Sequence, residues 1–132
     1  QLSLLEAAYL AARGAVDLPA GYDSVVAAGR EVEGDRFDRR LRAYAALRER
    51  GVVPKTGFKF GADFRTYADL TSVEDLGHSG RLVRVLDADH AFVPRDLALD
   101  VRLAHGVRKE MTFALVPPEG DVDWLAVRRL TP

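Results

Sequence analysis

Leu82-Val83-Arg84-Val85-Leu86, the stretch Pro94 to His105, and Glu110-Met111-Thr112-Phe113-Ala114-Leu115-Val116 follow one another and decide the fold class of this 132-residue chain. The first is a short run of mostly branched apolar residues, the signature of a strand. The second has a proline near its start and Gly106 at its end, the punctuation of a helix. The third reads as a second buried strand. Upstream, Val52-Val53, Phe58, Phe60, Phe64 and Tyr67, broken by Gly57 and Gly61, predict a strand pair with turns. Downstream, Pro117-Pro118-Glu119-Gly120 makes a turn before a last strand from Val122 to Leu130.

The first fifty residues have the helical period instead. Ser3-Leu4-Leu5-Glu6 has the form of a capping box, and Leu2, Leu5, Tyr9 and Leu10 form a stripe that ends at Gly14, so a helix runs from Ser3 to Arg13. A short second helix fits Tyr22 to Ala28. A third, Asp35 to Gly51, places Phe37, Leu41, Tyr44, Ala45 and Leu47 on one side. The expected fold is α+β, a helical segment over 1–50 followed by a mixed α/β domain over 51–132.

With 48% apolar residues, 30% charged, and 20 acidic against 19 basic side chains, the composition excludes disorder, collagen and a membrane span. The length suits one domain, or one domain with a small appendage. Cysteine is absent, which removes disulfides, thiolate metal sites and a thiol nucleophile, and a reducing compartment is the natural reading. No charged and then apolar leader opens the chain, so nothing points to secretion. It opens on Gln1, and a fragment, a processed chain or a trimmed one is expected. From Arg36 to Arg65, nine basic residues face only Asp38, Glu49 and Asp63. That excess is enough for a phosphate-facing surface, although an Arg-rich solvated helix face explains it equally well.

No P-loop, dinucleotide fingerprint, zinc-protease helix or serine elbow is present, so no nucleotide cofactor is expected. His78, His90 and His105 lack ligand spacing. Asp87-Ala88-Asp89-His90 has two carboxylates for a metal, but a polar turn after a strand explains it better. What remains is Tyr67 at a strand end, His78 beside Ser79-Gly80, and Lys109 at the entrance to a strand. Each alone is most simply a rim, loop or solvated residue. Together they suit RNA cleavage by its own 2′-hydroxyl, which needs a base for that hydroxyl, an acid for the 5′-oxygen and a cation beside the phosphorane.

Lys55-Thr56-Gly57-Phe58-Lys59-Phe60-Gly61-Ala62-Asp63-Phe64-Arg65-Thr66-Tyr67, then His78-Ser79 with the Leu82 to Leu86 strand, then Val101 to Lys109, resemble the three signature blocks of the archaeal tRNA-splicing endonucleases in order and spacing. The resemblance covers about 51–132 strongly, and the Leu2 to Gly14 helix resembles the end of the family's N-terminal domain. It implies a nuclease-like sheet flanked by helices and a cytoplasmic, metal-independent endoribonuclease without cofactor. Such an enzyme cuts precursor tRNA at the bulge-helix-bulge motif and leaves 2′,3′-cyclic phosphate and 5′-hydroxyl ends. It also implies Tyr67 as general base, His78 as general acid and Lys109 as electrostatic stabiliser, with Arg102 and an arginine of the last strand sandwiching a flipped base. For the second arginine, distance from the C-terminus favours Arg129 over Arg128, and strand alternation puts the two on opposite faces. Further endonuclease subunits, in a homo- or hetero-oligomer, are implied partners, and Glu119, Asp121 and Asp123 resemble the loop by which some subunits dock.

Three other readings compete. A non-catalytic structural subunit is disfavoured because Tyr67, His78 and Lys109 are all present. A metal-dependent nuclease would use Asp87 and Asp89. A winged-helix DNA binder would need a base-reading third helix, and that helix carries Phe37, Leu41 and Tyr44 on an apolar face.

Overall fold

The structure, a computed structural model, describes residues 4–13, 21–67 and 80–130. Three helices come first: α1 (Leu4–Ala12), α2 (Gly21–Glu33) and α3 (Asp35–Glu49). β1 (Lys55–Thr56), a 3₁₀ turn (Phe58–Phe60), β2 (Phe64–Thr66) and β3 (Arg81–Asp87) follow, then α4 (Pro94–Gly106), β4 (Glu110–Val116) and β5 (Asp123–Val127). The fold is α+β, as the sequence predicts. The five strands stand in chain order in one mixed sheet, antiparallel except where β3 and β4 run parallel across the α4 crossover.

The sheet lies between two helical layers. Phe64, Val83, Val85, Ala114 and Val116 pack against Leu5, Tyr9, Phe37, Tyr44 and Leu47 of α1 and α3. Leu82, Met111 and Phe113 point the other way and pack against Val101 and Ala104 of α4. Period-two alternation in β3 and β4 produces this division, which is why both strands read as nearly continuous apolar runs. Phe37 and Phe113 are fully buried, one in each layer.

α2 continues past its expected end at Ala28 to Glu33. Gly29 does not break it, because the space its Cβ would occupy is filled by the Phe37 ring, 2.3 Å from that position. Close packing of α2 on α3 thus outweighs glycine's helix cost of about 1 kcal/mol. The expected strand pair with turns is β1 and β2, joined through the 3₁₀ turn at Phe58–Phe60, which Phe60 N–H and Ala62 N–H close on the Gly57 carbonyl (2.9 and 3.1 Å). β5 stops at Val127 instead of reaching Leu130. Val127 pairs with Met111, and β4 begins one residue earlier at Glu110, so little ladder remains for further pairing.

Asp63, 6% exposed, joins the helical layer to the sheet. Its Oδ1 meets Arg36 Nη2 at 2.9 Å and Arg40 Nε at 3.1 Å, and its Oδ2 accepts the Val85 N–H at 2.7 Å. No helix among the described residues is long and apolar enough to cross a membrane.

Candidate active site

Several strand ends meet at one edge of the sheet. Tyr67 follows the last residue of β2, Lys109 precedes the first of β4, and Arg128 and Arg129 follow the last of β5. Because β2 and β5 run opposite to β3 and β4, all four residues fall at the same end. Along β2, Phe64 and Thr66 are buried while Arg65 and Tyr67 alternate to the other face. Arg65 pairs with Leu82, which belongs to the α4-side core, so the α4 face carries Tyr67.

Lys109 is placed by the end of α4. Arg108 N–H donates to the His105 carbonyl (3.0 Å) and Lys109 N–H to the Ala104 carbonyl (2.8 Å). Arg108 takes the left-handed position, φ 58, that such helix terminators usually give to glycine. This conformation costs an L-residue roughly 1–2 kcal/mol. It turns the chain so that Lys109 leads directly into β4.

The Lys109 ammonium comes to rest 4.7 Å from the centroid of the Tyr67 ring and 5.9 Å from that of Phe60. The Tyr67 side chain is itself half exposed, at 52%. Its hydroxyl oxygen accepts a hydrogen bond from Arg65 Nη1 at 3.1 Å. Gly80, with φ +104, packs between the two strand ends: a Cβ there would fall 2.0 Å from the Thr66 carbonyl oxygen and 2.8 Å from Tyr67 Cα. The Gly80 carbonyl also accepts the Glu110 N–H at 3.1 Å, one residue from Lys109.

The structure therefore brings Tyr67 and Lys109 together. Arg102 is exposed near the end of α4, and Arg128 and Arg129 are exposed beyond β5. Among the described residues no hydrogen bond, ion pair or ring contact joins these three to Tyr67. His78 lies outside the described residues. Arg65 and Phe60 complete the cluster, and sequence reasoning passed over both. Alternation gave a signal for Arg65, since residues two apart on a strand share a face; nothing comparable marked Phe60.

The basic stretch is largely consumed within the fold. Arg36 and Arg40 serve Asp63, and Arg40 also bonds Glu33. Arg42 donates to the Pro117 and Gly120 carbonyls, pinning the turn before β5. Arg48 donates to the Tyr44 hydroxyl at 3.0 Å, and Arg50 lies over the Trp124 ring at 5.4 Å. Asp87 begins a polar turn, its Oδ1 accepting the Asp89 N–H at 3.0 Å. That turn lies at the far end of β3 from Tyr67, about 20 Å away at 3.3 Å per strand residue.

An α+β domain with a phenol and two cations gathered at one sheet end has the chemistry to hold a phosphodiester and move a proton beside it. The family model for "tRNA intron endonuclease, catalytic C-terminal domain" matches residues 37–124, and the chain belongs to this family. Similar curated proteins are the tRNA-splicing endonucleases of Haloarcula marismortui, 70% identical over all of this chain, and Natronomonas pharaonis, 67% identical over all of it. That of Methanosarcina acetivorans is 42% identical over 98% of this chain. The matches cover 40%, 39% and 38% of those proteins respectively, so the chain spans about two fifths of their length.

Proposed function

We propose that this chain is the catalytic unit of a tRNA-splicing endonuclease, an enzyme that removes introns from precursor tRNA in the cytoplasm. The observation that carries the reading is the contact between Lys109 and Tyr67, two chemically capable side chains from sequence positions 42 residues apart. Residues 51–132 form its catalytic domain, and 1–50 are the helical remainder of an N-terminal domain. The cut falls at a bulge-helix-bulge motif and needs no metal.

Tyr67 is the base that takes the proton of the 2′-hydroxyl. That oxygen then attacks phosphorus, and His78 protonates the departing 5′-oxygen, which leaves a 2′,3′-cyclic phosphate and a 5′-hydroxyl. Lys109 stabilises the phosphorane, where an ammonium beside developing charge is worth most. Arg102 and Arg129 hold an extruded base between planar guanidiniums. Support for Arg129 over Arg128 comes from the pairing of β5: Leu125 and Val127 lie opposite Phe113 and Met111 of the α4-side core. Continued alternation gives position 129 the same face. The enzyme works as a homo- or hetero-oligomer, with Glu119 and Asp121 on the Arg42-pinned turn and Asp123 at the start of β5 as candidate docking groups.

The test is incubation of the intact protein with an intron-containing precursor tRNA in excess chelator, with analysis of the new ends. Cleavage with cyclic phosphate ends is expected, and His78→Ala should slow it roughly 10²–10⁴-fold while RNA affinity holds. Loss of activity in chelator, or 3′-hydroxyl ends, overturns the mechanism. RNA binding without any cleavage favours the structural-subunit alternative.

A further inference from the structure

The hydrogen bond at the Tyr67 oxygen comes from Arg65 and not from Lys109. Arg65 Nη1 stands 3.1 Å from Oη, and its guanidinium carbon is 5.9 Å from the ring centroid. Lys109 approaches the ring itself. We propose that Arg65 is a positioning residue for RNA cleavage, holding the Tyr67 oxygen toward the substrate's 2′-hydroxyl, so that Lys109 serves the phosphate. The proposal rests on the reading of Tyr67 as base.

A guanidinium can only donate, so the Tyr67 oxygen must accept from Arg65, and its own proton or remaining lone pair is directed elsewhere. Arg65 Nε is buried and has no hydrogen-bond partner among the described residues, so packing holds that end of the guanidinium while Nη1 reaches the phenol. In the reaction the 2′-oxygen forms its bond to phosphorus and gives its proton to the phenolate. The bond from phosphorus to the 5′-oxygen breaks, and that oxygen takes a proton from the general acid. The charged donor fixes one lone pair of the Tyr67 oxygen and so sets the direction in which that oxygen meets the 2′-hydroxyl. Among the described residues, the other charged groups on the strand ends beside Tyr67 are Lys109, the Arg81–Glu110 pair (3.6 Å) at the starts of β3 and β4, and Lys55, opposite Arg65 on β1. All of these stay in place when Arg65 alone is changed.

The experiment is single-turnover cleavage of precursor tRNA, with RNA affinity measured in parallel, for the intact protein and for Arg65→Ala, Arg65→Lys, Tyr67→Phe and Arg65→Ala/Tyr67→Phe. Arg65→Ala should lower the rate roughly 10–100-fold, the worth of one charged hydrogen bond, with affinity nearly unchanged. Arg65→Lys should recover part of that rate. In the Tyr67→Phe background Arg65→Ala should add almost nothing, because no oxygen remains to be held. An equal loss in both backgrounds, or no recovery by Arg65→Lys, overturns the role of Arg65 and leaves Tyr67 as base. Full activity of Tyr67→Phe overturns the assignment of the base itself. Should Arg65→Ala lose its fold by circular dichroism, Arg65→Gln carries the same comparison.

Discussion

Lys109 lies over the face of the Tyr67 ring, with its ammonium 4.7 Å from the centroid, while the hydroxyl of that ring is engaged by Arg65. Ring and hydroxyl therefore have separate partners, since an ammonium over an aromatic face is held by the ring's quadrupole.

Tyr67→Phe removes the hydroxyl and keeps the platform; Tyr67→Leu removes both. Phe should lower single-turnover cleavage roughly 10²–10⁴-fold, the range for a lost general base. Leu should be slower again by roughly tenfold, because the lysine loses its seat. That additional loss should vanish when Lys109 is already alanine. Equal rates for Phe and Leu would show that the ring does not position the ammonium.

Asp63 is the joint whose loss should be felt furthest. Asp63→Ala leaves the Val85 N–H without its acceptor and Arg36 without its carboxylate, and leaves Arg40 with Glu33 alone. Breaking a buried charged pair from one side costs about 3–5 kcal/mol. Arg36→Ala should cost under about 1 kcal/mol, because that side chain is 61% exposed and Arg40 remains. Urea unfolding of the two variants measures the contrast, and equal midpoints would contradict it.

The Tyr44 phenol is packed into the helical layer in a setting that favours its protonated form. Burial pushes its pKa above the ordinary 10.0, and the hydrogen bond from Arg48 opposes this only in part. The fold thus prefers the protonated phenol: the contribution is complete below pH ~10 and is lost as pH rises through the raised folded value. Melting temperature should fall across that window, and Tyr44→Phe should flatten the fall. An unchanged slope would place the alkaline sensitivity elsewhere.

Strands β3 and β4 and helix α4 were readable because two-sided burial writes uninterrupted apolar runs, and because Pro94 and Gly106 punctuate the helix. The extent of α2 was not, since Gly29 reads as a stop until Phe37 is seen to fill the missing Cβ position. Local sequence cannot report a ring eight residues away on another helix. The arginines of α3 were equally ambiguous: a charge run looks alike whether it faces solvent or reaches Asp63 and the carbonyls of 117 and 120. At the candidate site, Tyr67 and Lys109 could be named from the resemblance, but their contact depends on β2 ending where β4 begins, a property of register.

Gly80 offers the most direct check of that edge. Two separate costs meet there: a positive φ of 104°, which any L-residue resists, and a Cβ position 2.0 Å from the Thr66 carbonyl oxygen. Backbone cannot give way as a flexible side chain can, so Gly80→Ala must displace the end of β2 that carries Tyr67. Gly120 has nearly the same φ, +100°, and nothing within 4 Å of its Cβ position, which makes Gly120→Ala a control for the torsion alone. Left-handed strain costs roughly 1–3 kcal/mol in either variant. Gly80→Ala should exceed Gly120→Ala by at least about 1 kcal/mol, comparable to the cost of overpacking. It should also lower cleavage at temperatures where the variant remains folded, whereas Gly120→Ala should cleave at nearly the parent rate. If both variants melt together and cleave alike, Gly80 does not position Tyr67, and the close approach of β2 to the start of β3 is wrong.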